Sequence, residues 1–287
     1  MRILGVESDR CTGCRACAVE CPANLYSYSE HKTAVFSDPN NWCTGCGHCI
    51  AVCPMDAVKY DGDERANRQV ESLPESTAVL NLLQSKRSIR AYRPDGVSRE
   101  DIATVLNAMR CAPSGHNAQP CAYLVITDET QKTLLRDTTV LMLKKFRMLM
   151  RFHRLMRPFV NKQLYGIMSD ASVALGIEDM VNRHAAGEDP IFFNAPVVIA
   201  VHVPDRGGES FIDPSIAFTY GMLAGHSIGL GSCWMGFTIM AVVRNKKILR
   251  HFNVPAGRMM AGVMTLGHPV STFQRIPVRN KLNVSWW

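Results

Sequence analysis

Cysteine is the residue whose type and spacing speak first. CTGCRACAVECP at 11–22 returns, with the same intervals, as CTGCGHCIAVCP at 43–54. Each run reads C-x2-C-x2-C-x3-C-P, and the eight thiols could form disulfides, hold zinc or hold iron–sulfur clusters. Structural zinc usually takes two pairs of ligands parted by a longer loop. Three cysteines at intervals of three instead wrap one compact body, as three corners of an iron–sulfur cube require. The fourth lies too far round to close the same cube, and its proline turns the chain away. No apolar segment precedes the first cysteine, and no stretch approaches the ~20 apolar residues of a membrane span. The expected compartment is therefore the cytoplasm, where thiols stay reduced and dense cysteine clusters serve metal or redox chemistry. Zinc and disulfides are both disfavoured. The remaining Cys111, Cys121 and Cys233 are scattered and read as small buried hydrophobes.

Over residues 1–62 the chain resembles the bacterial-type two-cluster ferredoxins, in which the fourth cysteine of each run ligates the other cluster. The resemblance implies one [4Fe–4S] cluster on Cys11, Cys14, Cys17 and Cys53. It implies a second on Cys43, Cys46, Cys49 and Cys21. The small residues Gly13, Ala16, Gly45 and Gly47 are expected to let backbone amides approach the sulfurs and stabilise the reduced state.

The elements that must carry this chemistry fill less than a quarter of 287 residues. Net charge is −2 over residues 1–62 and +9 over residues 63–287, which suggests two modules. YDGDERANRQVESLPES at 60–76 is polar and poor in large apolar residues, so 63–75 reads as a linker to a domain over 76–287. In that domain SREDIATVLNAMRCAPS reads as a helix capped by Ser98, with Asp101 in its first turn. Its stripe is Ile102, Val105, Leu106 and Met109. AYLVIT (122–127), PVVIAVHV (196–203) and the end of RMMAGVMTLGHP read as buried strands, and SIAFTYGMLAGHSIGL as an apolar helix. Helices alternating with strands make the class α/β or α+β.

RSIRAYRP, APSGHNAQP, NAPVVIAV, GLGSCWMGF and GHPVSTFQRIP occur in the order and spacing of the FMN-dependent nitroreductase family. The resemblance covers about residues 76–287. It implies an α+β fold with a central, mainly antiparallel sheet flanked by helices, and a homodimer in which both chains build each FMN pocket. The C-terminal NVSWW would then form an arm across the partner. An FMN phosphate favours guanidinium and hydroxyl donors. Arg87, Ser88 and Arg275 match the family's phosphate positions, and Arg90 the basic residue beside the flavin pyrimidine, where positive charge stabilises reduced flavin. Asn117 matches an amide at the ring edge, with Pro113 and Ser114 shaping its turn. Backbone amides of Trp234, Met235 and Gly236 are expected near flavin N5, where the chemistry takes place, and no catalytic side chain is assigned. GLGSCWMG misplaces the third glycine of a dinucleotide loop. His116 lies inside a cofactor motif without a settled role; Cys233 reads as packing and Asp213 as a helix cap. Cys121 stands where the family usually has an aromatic.

The resemblance thus implies an iron–sulfur flavoprotein oxidoreductase taking electrons from reduced ferredoxin or a similar low-potential donor. They pass through the clusters to FMN and on to a nitroaromatic or similar conjugated electrophile. The alternatives are a reductive dehalogenase or ene-reductase on the same scaffold, or a relay between ferredoxin and a two-electron carrier. Residues 138–169 contain no acidic side chain. They carry Lys144, Lys145, Arg147, Arg151, Arg154, Arg157 and Lys162 beside an apolar side of Phe146, Leu149, Met150, Phe152, Leu155, Met156 and Phe159. A lid over the flavin is the first reading of this insert, docking of an acidic ferredoxin the second, and membrane-surface contact through 144–162 the least favoured. No recognition motif for nucleic acid accompanies the charge.

Overall fold

The computed structural model describes residues 1–62, 70 and 72–287. The chain divides into two units: Met1–Leu73 with Ser114–Gln119, and Pro74–Pro113 with Pro120–Trp287. Most of the expected 63–75 linker lies outside the described residues.

In the N-terminal unit the internal repeat is visible as paired backbone geometry. The order is β1 (Arg2–Val6), α1 (Ala16–Val19), β2 (Tyr26–Tyr28), β3 (Ala34–Phe36), α2 (His48–Val52) and β4 (Val58–Asp61). β1 pairs antiparallel with β4, and β2 with β3. Each cysteine loop turns through a left-handed glycine, Gly13 at φ 69° and Gly45 at φ 62°. A Cβ at either would lie 2.6 Å from a carbonyl oxygen, that of Lys32 or of Met1, so only glycine fits. Arg15 and Gly47, both left-handed, then start α1 and α2. Cys17 and Cys49, on these helices, are buried with Ile3, Ala34 and Val58 in the unit's core.

The C-terminal unit is organised by two strands buried on both faces, which is why they read as unbroken apolar runs. Its elements are α3 (Ser76–Ser85), α4 (Arg99–Arg110), β5 (Ala122–Ile126), α5 (Glu129–Met150), α6 (His153–Met156), α7 (Lys162–Ser169), α8 (Ala171–Ala185) and β6 (Val197–Pro204). There follow α9 (Ile212–Ser227), β7 (Gly231–Trp234), α10 (Gly236–Val242), α11 (Lys246–His251) and β8 (Arg258–Gly267). The sheet order is β5-β6-β8-β7, every pair antiparallel. Alternate residues of β6 enter different cores. Val197, Ile199 and Val201 pack with Ile102, Val105 and Met109 of α4 and Phe218 of α9. Val198 and Ala200 pack with Leu135 and Leu143 of α5, Ile177 of α8 and Ile239 of α10. Ser98 caps α4 as its sequence suggests, its Oγ accepting the Asp101 amide at 3.0 Å. Asp213 instead falls in the first turn of α9, one residue inside the helix, with Phe211 at the cap position.

The basic insert is not one amphipathic helix. α5 ends at Met150, α6 is four residues long, and a 3₁₀ turn with Pro158 leads to α7. Its apolar set divides accordingly. Phe146, Met150 and Met156 pack on the core, while Leu149, Phe152, Leu155 and Phe159 stay exposed.

Candidate functional site

In the N-terminal unit, Cys11, Cys14, Cys17 and Cys53 line one cavity. Cys21, Cys43, Cys46 and Cys49 line another. Each cavity thus receives three cysteines of one repeat and the fourth of the other, because the chain turns away after Pro22 and Pro54. All eight are free thiols. Among the described residues no three His, Cys, Asp or Glu side chains converge tightly enough to hold a single metal ion. Backbone amides do reach the sulfurs. Leu25 donates to Cys21 Sγ at 3.5 Å and Ala57 to Cys53 Sγ at 3.3 Å, equivalent positions in the two repeats; Ala34 donates to Cys11 Sγ at 3.4 Å. The hydroxyl of Tyr28 is buried without a hydrogen-bond partner among the described residues, and the buried hydroxyl of Tyr26 faces the Cys49 thiol. Burial, followed by the adjacent Cys49 thiol, pushes the Tyr26 phenol far above its ordinary pKa, so it remains a donor. A sulfur-rich body in the cavity that Tyr26 lines with Cys21, Cys43, Cys46 and Cys49 would fit such a donor.

Ser114–Gln119 belongs to this unit. Asn117 Nδ2 donates to the Gly45 carbonyl at 2.8 Å, and Ser114 Oγ accepts the Gln119 amide at 2.9 Å. His116 and Asn117 both adopt positive φ, and His116 lines the cavity of Cys43, Cys46 and Cys49.

In the C-terminal unit three distant motifs are sewn together by backbone bonds. The Ile89 amide donates to the Ser232 carbonyl at 3.0 Å, Arg93 to His268 at 2.9 Å, and Val270 to Ala91 at 3.1 Å. Ser88 and Ser232 form a parallel bridge. Tyr92, buried at their centre, has its hydroxyl 2.7 Å from Thr265 Oγ1 and 3.0 Å from the Ile89 carbonyl. The result is a cavity lined by Lys86, Arg87, His226, Ser232, Ser271 and Thr272. Arg87 donates through Nη1 to the Lys86 carbonyl, while its Nη2 is buried with no partner among the described residues. Burial lowers the pKa of Lys86, and the Arg87 and Arg90 guanidiniums add to the effect. Burial, then the charges of Lys86 and Arg87, likewise depresses His226, whose Nε2 lies 2.9 Å from Ser85 Oγ. Crowded, desolvated cations with an unused guanidinium N–H are what a phosphate dianion would relieve. Lys86 and His226 escaped the sequence reading. Lys86 directly precedes the motif and was a usable signal, whereas His226 sits in a helix that read only as apolar.

A second cavity, about 510 Å³, is lined by Arg90, Arg183, Phe193, Trp234, Gly236 and Met240 among others, within the usual size of a small-molecule site. Phe193 and Asn194 hold left-handed backbone angles, a costly conformation for a bulky residue. Asp189 fixes it: its carboxylate accepts the amides of Ile191, Phe192 and Asn194 at 3.1, 2.8 and 3.2 Å and lies 3.5 Å from Arg136. Trp234 stands edge-on to Phe218 at 4.8 Å. The Met235 amide donates to the Val263 carbonyl at 2.9 Å and is thereby committed. Of the Trp234–Gly236 amides expected near a flavin, that of exposed Gly236 starts α10, where helix amides lack intrahelical partners. Neither cavity of this unit is lined by Pro113, Ser114, Asn117 or Arg275. Arg275 is exposed, two residues beyond Phe273 at the cationic cavity. Cys233 is buried in the core, and burial, followed by Asp213, pushes the Cys121 thiol up to about 11.

Two thiol-ringed cavities joined in one chain to a helix-flanked antiparallel sheet with an anion-seeking pocket define an iron–sulfur oxidoreductase of α+β class. Residues 10–58 match the 4Fe-4S dicluster domain. Residues 83–268, well over half of the chain, match the Nitroreductase family, and the protein belongs to that family. Nitrobenzene nitroreductase of Ectopseudomonas oleovorans is 27% identical over 208 residues, covering 68% of this chain and 88% of that protein. A nitroreductase with bound FMN from Desulfitobacterium hafniense DCB-2 shares the fold. Its TM-score is 0.53 at 20% identity, covering 72% of this chain and 97% of that one.

Proposed function

We propose that this protein takes single electrons through two [4Fe–4S] clusters in its N-terminal unit and delivers them in pairs, by way of FMN, to a nitroaromatic or related conjugated acceptor. Bound FMN would supply the conversion between one-electron and two-electron chemistry. The chain's own residues bind and orient. Cys11, Cys14, Cys17 and Cys53 would hold one cluster and Cys43, Cys46, Cys49 and Cys21 the other. Arg87 and Ser88, joined by Lys86 and by Arg275 from the C-terminal segment, would hold the phosphate. Arg90 would face the flavin pyrimidine, and Trp234, Met235 and Gly236 would shape the wall beside its reactive edge. Phe193 and Trp234 offer an aromatic acceptor apolar walls and exclude water.

One observation carries this reading: the buried, unpartnered Arg87 nitrogen in a cationic cavity, in the same chain as two four-thiol cavities. The test is a single-turnover screen. Protein purified anaerobically and photoreduced is mixed with nitroaromatic, halogenated and enone compounds and followed by absorbance. Fast reoxidation by nitroaromatics supports the proposal, and preference for another compound moves it to a dehalogenase or ene-reductase. Reoxidation by redox proteins alone would make the protein a relay.

A further inference from the structure

We propose that the exposed face built by residues 144–162 docks on an anionic phospholipid surface. The face lies within the C-terminal unit and has no part in the cavities described above. From residue 138 to 169 there is no acidic side chain. Among the described residues Arg147 finds a carboxylate, Glu178. Lys144, Lys145, Arg151, Arg154, Arg157 and Lys162 form no ion pair with another described residue. The apolar members facing inward are already used: Phe146, Met150, Met156, Val160 and Leu164 pack on the core. What remains outside is a second apolar set, with Met148 58%, Phe152 56%, Leu155 72% and Phe159 81% exposed.

These side chains alternate, on one broken helical segment, with cations that have no carboxylate partner among the described residues, Arg157 lying over the Tyr165 ring at 5.7 Å. Pro158 and the stops at Met150 and Met156 turn the segment repeatedly instead of letting it continue as a rod. Apolar tips beside unpaired basic groups match a bilayer's boundary zone, which offers acyl chains and phosphate anions together. A second copy of the same face would bring like charges together. An acidic protein would answer the charge but would also have to supply a pocket for each tip. No helix among the described residues is long and apolar enough to cross a membrane, so the contact is to lie on the surface.

The test is vesicle cosedimentation of the full chain. The vesicles are phosphatidylcholine alone and phosphatidylcholine mixed with phosphatidylglycerol. Binding to the mixed vesicles, absent on the neutral ones and weakened by salt, is expected. R151A/R154A/R157A should weaken partition roughly a hundredfold, from about a factor of five per basic residue near the surface. F152S/L155S/F159S should also lower it, while both variants keep the wild-type melting temperature because the replaced side chains are exposed. No binding to mixed vesicles, or equal binding by the variants, would overturn the proposal. So would a lipid-free change of sedimentation mass in F152S/L155S/F159S, which would make the face an interface between copies. Binding of an acidic polypeptide without any vesicle binding would assign the face to a protein partner instead.

Discussion

At the scale of single residues, the fourth cysteine of each repeat decides how the N-terminal unit works. Cys53 shares a cavity with Cys11, Cys14 and Cys17, and Cys21 with Cys43, Cys46 and Cys49. Cys53→Ser should therefore disturb the cluster on the first trio and leave the second nearer normal. Electron paramagnetic resonance of the reduced protein checks this, and damage confined to the Cys43, Cys46 and Cys49 cluster would refute the crossing. Arg87 is the corresponding residue for the anion pocket. Removing one charged hydrogen bond costs about 1.5–3 kcal/mol, or roughly ten- to a hundredfold in affinity. Arg87→Ala should weaken FMN binding by that factor without changing iron content, and the exposed Arg275→Ala by the same amount or less. Fluorimetric titration of the flavin decides; unchanged affinity in Arg87→Ala would place the phosphate elsewhere. His226 gives the pocket a pH dependence. Its folded pKa lies below its ordinary 6.5, so the unfolded chain takes up the proton first as pH falls. Stability is then lost as pH drops below 6.5 and levels off once the folded imidazole also charges. His202, depressed by burial and Arg258, has the same sign. Denaturant midpoints above and below 6.5 should show the loss, His226→Gln should reduce it, and bound FMN should reduce it too by favouring the charged form.

At the scale of elements, the site depends on strands that hold loops rather than on loops alone. Gly262 of β8 passes beneath Phe218 of α9, where a Cβ would fall 2.0 Å from the ring. Phe218 in turn supports Trp234 at the end of β7. Gly262→Ala should cost about 1–3 kcal/mol by overpacking, and it should lower FMN affinity because the displaced ring moves Trp234. A thermal melt paired with a flavin titration tests both; a lower melting temperature with unchanged affinity would uncouple core and site. These elements were unequally legible in the sequence. β6 and β8 could be read because strands buried on both faces are apolar without interruption, and β5 and α9 because their apolar runs are long enough to stand out although each keeps exposed residues. The cysteine cavities were legible because a 32-residue repeat marks the thiols and the resemblance to two-cluster ferredoxins crosses the fourth of each run. β7 was not, because its four residues, GSCW, read as a loop approaching a cofactor. The split of the basic insert was hidden as well. Helical spacing cannot tell whether an apolar side chain meets the core or solvent once the helix breaks. Asp189 was missed because its work is local, three amides held in a turn that no periodicity marks.

At the scale of the whole molecule, a chain that carries both cluster cysteines and a nitroreductase-family domain raises the question of where electrons enter. A flavin fed by nicotinamide must present the same face to donor and acceptor in turn. Clusters offer an entrance that leaves that face to the acceptor, and GLGSCWMG does not complete a dinucleotide fingerprint. Reduced ferredoxin should accordingly sustain faster turnover of a nitroaromatic than NADH or NADPH. Cys14→Ser combined with Cys46→Ser removes one thiol from each thiol cavity and touches neither the Lys86 and Arg87 cavity nor the Trp234 cavity of the C-terminal unit. That variant should still bind FMN and reduce the acceptor when driven by a chemical reductant, yet lose most of its ferredoxin-driven rate. Steady-state rates with one acceptor and each donor make the comparison. Equal ferredoxin-driven rates in the variant and the parent would mean that electrons reach the flavin without the clusters. A nicotinamide-driven rate equal to the ferredoxin rate in the parent would return the protein to the single-face scheme.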